Sequence, residues 1–323
     1  MTTLEEVSRR ILITGGTGFV GNHLVDELSA DDRWDVTISS RRIPLNPRVR
    51  HLKWDLNSEA IPEMDTDVVI HAATPASAEL NTKHPQQMFW QNVFSMQRII
   101  KFAESCAHPP TVVFTSSGGV YGEMPPSLDK IPEGYAGAVS TLETRSAYAE
   151  GKRAAEYLLT EASSRGVCVG VIARLFAFSG KHLPLDNHFA VGNFVRDALR
   201  FDPIRVHGDG SAVRSYLDGA DMARWIIALA DHGEPGFSYH IGSERAVSIA
   251  SLAKIVAERA ASMLGYNQTV LIEGTTKKTD GVNRYVPETT MTRQALAVTE
   301  EVSLEESIDK MLMKIRPELI NKP

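Results

Sequence analysis

Cysteine is scarce in this chain, and long apolar runs and an excess of positive charge are missing. Only two cysteines occur among 323 residues, Cys106 and Cys168, and neither has the paired spacing of a zinc site or a disulfide framework. No stretch approaches the ~20 consecutive apolar residues of a membrane span. The net charge of -6 gives no general attraction to nucleic acid or to an anionic membrane. The first ten residues, MTTLEEVSRR, carry acids where a signal peptide would carry bases, so we expect a cytoplasmic protein without nucleic acid or membrane partners.

What the chain does have is an alternation of short apolar runs with longer helical patterns. Runs rich in Val and Ile are typical of parallel strands that are buried on both faces, and they occur at residues 11–13, 36–38, 67–71, 111–115, 167–173 and near 240. Apolar residues at helical spacing predict helices at 18–30, 86–107, 146–165, 193–200, 249–264 and 304–315. The alternation predicts an α/β fold with a Rossmann-type doubly wound parallel sheet.

The composition changes after about Phe176, where Gly, Pro and His become frequent and the alternation of strands and helices is interrupted. We therefore expect a dinucleotide-binding domain formed by residues 1–175 with about 216–245. A smaller C-terminal substrate-binding domain is expected from residues 176–215 and 246–323.

A glycine-rich segment, ILITGGTGFVG, leads from the first predicted strand into the first predicted helix. Without a Cβ, Gly15 and Gly18 let the backbone turn sharply and approach a pyrophosphate, while Gly21 allows close packing of helix and strand. Amide groups at the start of the helix then face the anion. The residues of this turn expected to bind a dinucleotide are Gly15, Thr17, Gly18, Phe19 and Val20.

The end of the second strand decides which dinucleotide is favoured. An acid there would hydrogen-bond the adenosine ribose of NAD, but Ser40 stands at that place and is followed by Arg41 and Arg42. A hydroxyl and guanidinium groups suit a 2′-phosphate, so NADP(H) is favoured and NAD(H) stays possible. The alternative is that both arginines are only solvated loop charges.

Three residues in the middle of the chain have the side chains needed for proton and hydride transfer. Tyr148 and Lys152 are four residues apart and share one helix face. The lysine charge, together with the charge of the cofactor's nicotinamide, is expected to lower the pKa of the phenol. Tyr148 would then exchange a proton with a substrate oxygen while hydride moves at the same carbon. Ser117, at the end of a strand, would donate a hydrogen bond to that oxygen.

At these residues the chain resembles the extended short-chain dehydrogenase/reductases, the family of nucleotide-sugar epimerases, dehydratases and reductases. The motifs that carry the resemblance are TGGTGFVG, HAAT, TSSGGVYG and YAEGK, with RLFAFSG, PIRVHGDGSAVRSYLDGADMA and TDGVNRYVPETT further on. The resemblance implies further cofactor contacts from Asp55, Leu56, Ala72, Ala73, Thr74, Asn92, Ser116, Leu175 and Phe176.

The same resemblance implies how the substrate and a second subunit would bind. Arg214 would hold the diphosphate of a nucleotide-diphosphate sugar, with help from Lys277 or Arg284, since guanidinium groups bind phosphate in a bidentate manner. Relatives often form homodimers through a four-helix bundle made by the helix that bears Tyr148 and its neighbour. His188 is a candidate substrate contact, and no set of ligands with recognised spacing predicts a metal.

Departures from the family narrow the reaction. The 4,6-dehydratases carry an Asp-Glu pair directly after their catalytic Thr, whereas Gly118 and Gly119 follow Ser117 here and do no acid/base work. Dehydration would need another acid, such as Glu123 or Glu143. Relatives also usually have Asn where this chain has Ala177, which leaves the substrate open.

Four functions remain. An NADP-dependent reductase of a 4-keto nucleotide sugar is favoured, and a C4 epimerase of nucleotide sugars is nearly as well supported. A 4,6-dehydratase or decarboxylase that uses an unrecognised acid is a third. The fourth, from another class, is a non-catalytic regulator that senses NADP, for which the Ser117, Tyr148 and Lys152 set would have no use.

Overall fold

A computed structural model describes residues 8–44, 46–57, 60–186, 189–275 and 282–314. Its strands are β1 Arg9–Thr14, β2 Trp34–Ser39, β3 Arg50–Leu52, β4 Val68–His71, β5 Thr111–Ser117, β6 Val169–Leu175, β7 Phe178–Ser179, β8 Ile204–Val206, β9 Val213–Arg214, β10 Leu217–Asp218, β11 Ser238–Ile241, β12 Val247–Ser248, β13 Val270–Ile272 and β14 Arg284–Tyr285. Its α-helices are α1 Phe19–Leu28, α2 Ala78–Lys83, α3 Pro85–Ser105, α4 Ala147–Ser164, α5 Ala190–Leu199, α6 Gly219–His232, α7 Ile249–Leu264, α8 Thr290–Leu296 and α9 Leu304–Lys314.

Seven parallel strands form the central sheet in the order β11-β6-β5-β4-β1-β2-β3. Side chains of β1 alternate between its two faces: Ile11 and Ile13 pack with α1 and α6, whereas Leu12 packs with α3 and α4. Helices therefore cover both faces, and the prediction of a Rossmann-type doubly wound sheet is confirmed. The carboxyl ends of β1, β4 and β5 meet at one edge, which is where such folds bind ligands.

A second hydrophobic cluster lies outside the central sheet. It contains buried residues of α5, α7 and α9, such as Phe194, Leu252 and Ile308, together with Tyr216. Its members lie almost wholly within residues 176–215 and 246–323. The division into two domains nevertheless stays a prediction. Leu296 of α8 lies outside this second cluster and packs with the core formed by the central sheet, α1 and α6.

Strand β3 and helix α6 were not predicted from the sequence. β3 is only three residues long and contains two basic or polar side chains, so it has no apolar run. α6 does have a recognisable start, because the Asp218 side chain accepts a hydrogen bond from the amide of Ala220.

No helix within the described ranges is both long and apolar enough to cross a membrane.

Candidate active site

The glycine-rich turn joins the end of β1 to the start of α1. Gly15 has a φ of +74°, and a Cβ on it would lie 2.9 Å from the backbone of Ala72. A Cβ on Gly21 would lie 2.4 Å from the carbonyl oxygen of Gly15, so α1 could not pack this closely with a side chain there. Gly18 precedes α1 without a side-chain cap, which leaves the first amide groups of the helix for a ligand. This cradle fits the pyrophosphate of a dinucleotide.

Ser40 and the two arginines after it lie just beyond the carboxyl end of β2. Ser40 is buried; its hydroxyl donates to the carbonyl oxygen of Arg42 and lies 3.3 Å from Nε2 of His51. Arg41 and Arg42 are exposed, and neither forms an ion pair with another described residue. Their guanidinium groups are thus available to a ligand at this edge.

The predicted catalytic trio of Ser117, Tyr148 and Lys152 is brought together at the end of β5 and the start of α4. Lys152 Nζ donates to Thr74 Oγ1 at 2.6 Å and lies 5.8 Å from the centre of the Tyr148 ring. A Cβ built on Gly119 would lie 3.2 Å from Ser117 Oγ and 3.8 Å from Cε1 of Tyr148, so the hydroxyl and the phenol border the same small space. A substrate oxygen in that space would meet both groups.

Burial controls the protonation of this trio. It raises the pKa of the Tyr148 phenol, and the nearby Ser117 hydroxyl offsets only part of that rise. It also lowers the pKa of Lys152 to about 7, against the opposing effect of the Glu156 charge. The expectation that Lys152 would lower the pKa of Tyr148 is wrong for this structure, because desolvation of the phenol dominates. Tyr148 is therefore a proton donor at neutral pH.

A cleft of about 490 Å³ runs from the glycine-rich turn to the trio. Among the predicted residues it is lined by Gly15, Gly18, Phe19, Val20, Ala72, Thr74, Ser116, Ser117, Tyr148, Lys152, Leu175 and Phe176. The remaining lining residues are Gly21, Ala76, Ser77, Ala78, Asn81, Thr115, Phe178 and Phe189. One continuous cleft thus connects the glycine-rich turn with the residues predicted to transfer a proton.

Other predicted cofactor residues lie outside this lining. Asp55 is exposed, and the neighbouring Leu56 packs into the core, as Ala73 does in part. Asn92 is fully buried and donates to the carbonyl oxygen of Met88, while its Oδ1 atom has no hydrogen-bond partner among the described residues. Thr17 and these residues keep their cofactor contacts as predictions.

The residues predicted for the substrate diphosphate are only partly placed. Arg214 is half-buried and donates from one nitrogen to two backbone carbonyl groups, and burial lowers its pKa. Arg284 lies on the neighbouring strand β14, and its guanidinium group lies 3.8 Å from the Asp129 carboxylate. Lys277, the other residue predicted for the diphosphate, and His188, the candidate substrate contact, lie outside the described residues.

Asn81 is a site residue that the sequence analysis missed. It belongs to α2, and its Oδ1 atom accepts a hydrogen bond from the backbone amide of Tyr148 at 2.9 Å. Its Nδ2 atom donates to the carbonyl oxygen of Arg145 at 2.8 Å. Asn81 therefore holds the start of α4, which carries the phenol of Tyr148. Asn81 and Tyr148 are too far apart in the sequence for any spacing rule to connect them.

A buried ion pair lies beneath the trio. The Glu156 carboxylate accepts a hydrogen bond from Ser116 Oγ at 2.5 Å and pairs with Arg174 at 2.7 Å. Glu156 is one helical turn after Lys152 on α4, so its negative charge raises the pKa of the lysine. The pair fixes the end of β5 and keeps a negative charge close to Lys152.

One group within the described ranges has donor atoms close enough for a metal, namely His23, Asp26 and His182. Asp26 already pairs with Lys181 at 2.8 Å and with Nε2 of His182 at 2.6 Å. His23 and Asp26 belong to α1, His182 follows β7, and none of the three lines the cleft. The expectation that no metal is bound stays a prediction.

Several known proteins are similar to this chain in sequence, in fold or in both. Residues 11–242 match the profile of the NAD dependent epimerase/dehydratase family. The chain is 29% identical to UDP-glucuronic acid decarboxylase 1 of Arabidopsis thaliana, over 97% of this chain and 71% of that protein. Two solved structures are similar in fold at 22% identity. UDP-glucose 4-epimerase of Thermotoga maritima with UDP-glucose has a TM-score of 0.82 over 96% of this chain and 99% of that one. RMD of Pseudomonas aeruginosa with NADPH has a TM-score of 0.79 over 96% and 100%.

The fold and the cleft therefore define an extended short-chain dehydrogenase/reductase, as the motifs predicted. Within that class, the chain belongs to the NAD dependent epimerase/dehydratase family.

Proposed function

We propose that this protein reduces the 4-keto group of a nucleotide-diphosphate sugar with NADPH. The observation that carries the proposal is the position of Ser117, Tyr148 and Lys152 at one end of a cleft whose other end is a pyrophosphate cradle. A dinucleotide bound in such a cleft would lie along the sheet edge with its reactive ring at the trio. RMD, which was solved with NADPH, and the epimerase solved with UDP-glucose support the two ligand classes.

Arg41 and Arg42 support NADP(H) over NAD(H). Both are exposed at the place where the adenosine ribose ends, and a 2′-phosphate there would gain charge-assisted hydrogen bonds. No acid follows β2 to accept hydrogen bonds from an unphosphorylated ribose. An exchangeable, reduced cofactor is what a net reduction requires.

The residues of the trio have separate tasks in this reaction. Ser117 and Tyr148 hold the carbonyl oxygen of the sugar, and the nicotinamide, when bound, supplies hydride to the carbonyl carbon. Tyr148 gives its proton to the oxygen as the negative charge develops there. The Lys152 ammonium, held by Thr74, stabilises the phenolate that remains.

A C4 epimerase is the second candidate, supported by the fold similarity to UDP-glucose 4-epimerase. It would use the trio in the same manner, first removing hydride and then returning it to the other face. The difference lies in the cofactor, which an epimerase retains and recycles.

Water loss or decarboxylation would need an acid beside the trio. Glu123 and Glu143 both lie next to Arg145 at the surface, and neither lines the cleft. No carboxylate is present among the described lining residues. A decarboxylase therefore has sequence similarity in its favour but no candidate acid in the described part of the cleft.

The test is turnover with purified protein. We expect NADPH to be consumed with a nucleoside diphosphate that carries a 4-keto-6-deoxyhexose, and the sugar to gain two hydrogens by mass. Tyr148→Phe should lower kcat by about 10²–10⁴-fold. Tightly retained NAD with interconversion of C4 epimers would replace the proposal with an epimerase, and release of carbon dioxide from UDP-glucuronic acid would replace it with a decarboxylase. Binding of NADPH without turnover of any of these sugars would favour the regulator.

A homodimer through α3 and α4 is also proposed. Trp90 and Phe94 of α3 stack with ring centres 5.0 Å apart and are 43% and 47% exposed, and Tyr157 of α4 is 70% exposed. α3 and α4 pack against each other, and a second copy of the same two helices would cover these exposed side chains.

A further inference from the structure

A second cavity, separate from the cleft, lies between α4, β6 and the start of β11. It has a volume of about 320 Å³, and none of the residues that line it lines the cleft. Ile172 and Arg174 line it together, because alternate residues of a strand share one face of the sheet. A Cβ built on Gly236, just before β11, would meet no atom within 4 Å, so the space beside this glycine is open. The volume is at the low end of the range found for small-molecule sites.

Two arginines give this cavity its charge. The charged side chains among its described lining residues are Arg153, Arg174 and Glu156, so two positive charges face one negative charge. Arg174 donates to Glu156 from Nε and Nη2 and to the Tyr121 hydroxyl from Nη1. A guanidinium group has five N–H groups, and these bonds engage three of them. The cavity therefore has an excess of positive charge and further N–H donors for an anion.

The Arg153 guanidinium is held only loosely by its neighbours. Its Nη1 atom donates to the carbonyl oxygen of Gly137 at 3.4 Å, and its Nε atom lies 3.8 Å from the Glu150 carboxylate. Both distances are long for hydrogen bonds, and the side chain is 40% exposed. Arg153 can therefore turn to an anion in the cavity without losing a strong bond.

An aromatic ring completes the lining. Phe237, directly before β11, borders the cavity and is 53% exposed. Tyr157 borders it as well, on a side chain that the proposed dimer would cover. The face of the Phe237 ring is available to a planar aromatic group of a ligand, which prefers to stack on such a ring.

We infer that this cavity is a second ligand site that binds a nucleoside monophosphate, with the phosphate on Arg153 and Arg174 and the base on the Phe237 ring. Guanidinium groups bind phosphate in a bidentate manner, and every base has a face that can stack on an aromatic side chain. This site goes beyond the proposed function, and binding to it does not depend on that function.

Glu156 connects the second site with the cleft. Its carboxylate pairs with Arg174 in the second cavity and accepts a hydrogen bond from Ser116, which lines the cleft. A phosphate bound to Arg174 adds negative charge on the side from which Glu156 already acts on Lys152. The ligand should therefore favour the protonated lysine.

The other groups around Lys152 leave this effect visible. Lys152 faces Tyr148 and Glu156 of its own helix and His71 of β4. Burial lowers the pKa of His71 to about 3, so this imidazole is uncharged at neutral pH. With ligand bound, the pKa of Lys152 should rise, and the fall of kcat/KM with rising pH should begin at higher pH than without it.

The test is a calorimetric titration of the NADPH-loaded protein with uridine monophosphate, uridine and inorganic phosphate. We expect the nucleotide to bind more tightly than either part alone. Arg153→Ala and Phe237→Ala should each raise its Kd by about tenfold, through loss of a charge-assisted hydrogen bond or of stacking. Both side chains are exposed, so the variants should unfold at the wild-type midpoint. Arg165→Ala, near the end of α4 and outside the cavity lining, is the matched control.

The outcomes separate this inference from the proposed function. An equal Kd in the wild type and both variants would overturn the second site, because the nucleotide would then lie in the cleft. Phosphate that binds as tightly as the nucleotide would overturn the choice of ligand, and a pH profile that the nucleotide does not shift would overturn the connection through Glu156. Binding as expected without turnover of any nucleotide sugar would overturn only the proposed function.

Discussion

Replacing Arg41 or Arg42 by alanine should weaken NADPH binding and leave NADH binding unchanged. A phosphate monoester carries a charge of about -1.5 to -2 at neutral pH, and a unit charge pair about 4 Å apart in water contributes about 1 kcal/mol. Because both side chains are exposed, the water value applies, and each arginine contributes about 1.5 to 2 kcal/mol. At 1.4 kcal/mol for each factor of ten, each substitution raises the Kd for NADPH by about ten- to thirtyfold.

The assay is a fluorescence or calorimetric titration of the cofactor-free protein with NADPH and with NADH. Arg165→Ala is a matched control, since Arg165 pairs with Glu161 near the end of α4 and should not affect either cofactor. Added salt should weaken NADPH binding to the wild type more than binding to the variants, because it screens exposed charges. If Arg41→Ala and Arg42→Ala weaken both cofactors equally, or neither, the assignment of a 2′-phosphate site is refuted.

Three further changes test other parts of the site. Glu156→Gln removes a negative charge that raises the pKa of Lys152 against the effect of burial, so that pKa should fall below about 7. Because the lysine then loses its proton at lower pH, the fall of kcat/KM with rising pH should begin at lower pH than in the wild type. An unchanged pH profile would contradict this coupling. Gly21→Ala places a methyl group 2.4 Å from the Gly15 carbonyl oxygen and should destabilise the protein by about 1–3 kcal/mol, measured by denaturant unfolding; a wild-type midpoint would argue against the tight turn. Phe94→Lys places a charge on the exposed apolar surface of α3 and should shift sedimentation from dimer to monomer, whereas an unchanged dimer would locate the interface elsewhere.

What could be predicted from the sequence was local. Gly15 and Gly21 were found because the reason for glycine lies in the backbone of the turn itself, and Tyr148 and Lys152 because four residues make one helical turn. Asn81 could not be found in this manner, because its contact with Tyr148 exists only once α2 has packed beside α4.

Two other failures have different causes. Tyr285, whose hydroxyl lies beside Gly118, was not predicted as a neighbour of the trio. It reaches this place through the pairing of β14 with β9, and a strand of two residues is too short to show an alternation of apolar side chains from which the pairing could be predicted. The direction of the Tyr148 pKa was wrong because the sequence shows which charge is near but not how deeply the phenol is buried. Pairing between distant strands and the extent of burial are properties of the folded chain.

The composition of the second hydrophobic cluster has a consequence for the order in which the chain folds as it is synthesised. The last strand of the central sheet ends at Ile241, whereas α9, which packs against α5 and α7, begins only at Leu304. A nascent chain that has just passed Ile241 can complete the cofactor side of the cleft while the apolar residues of α5 are still uncovered. Such an intermediate leaves apolar surface of α5 exposed, so the second cluster would fold after the central sheet.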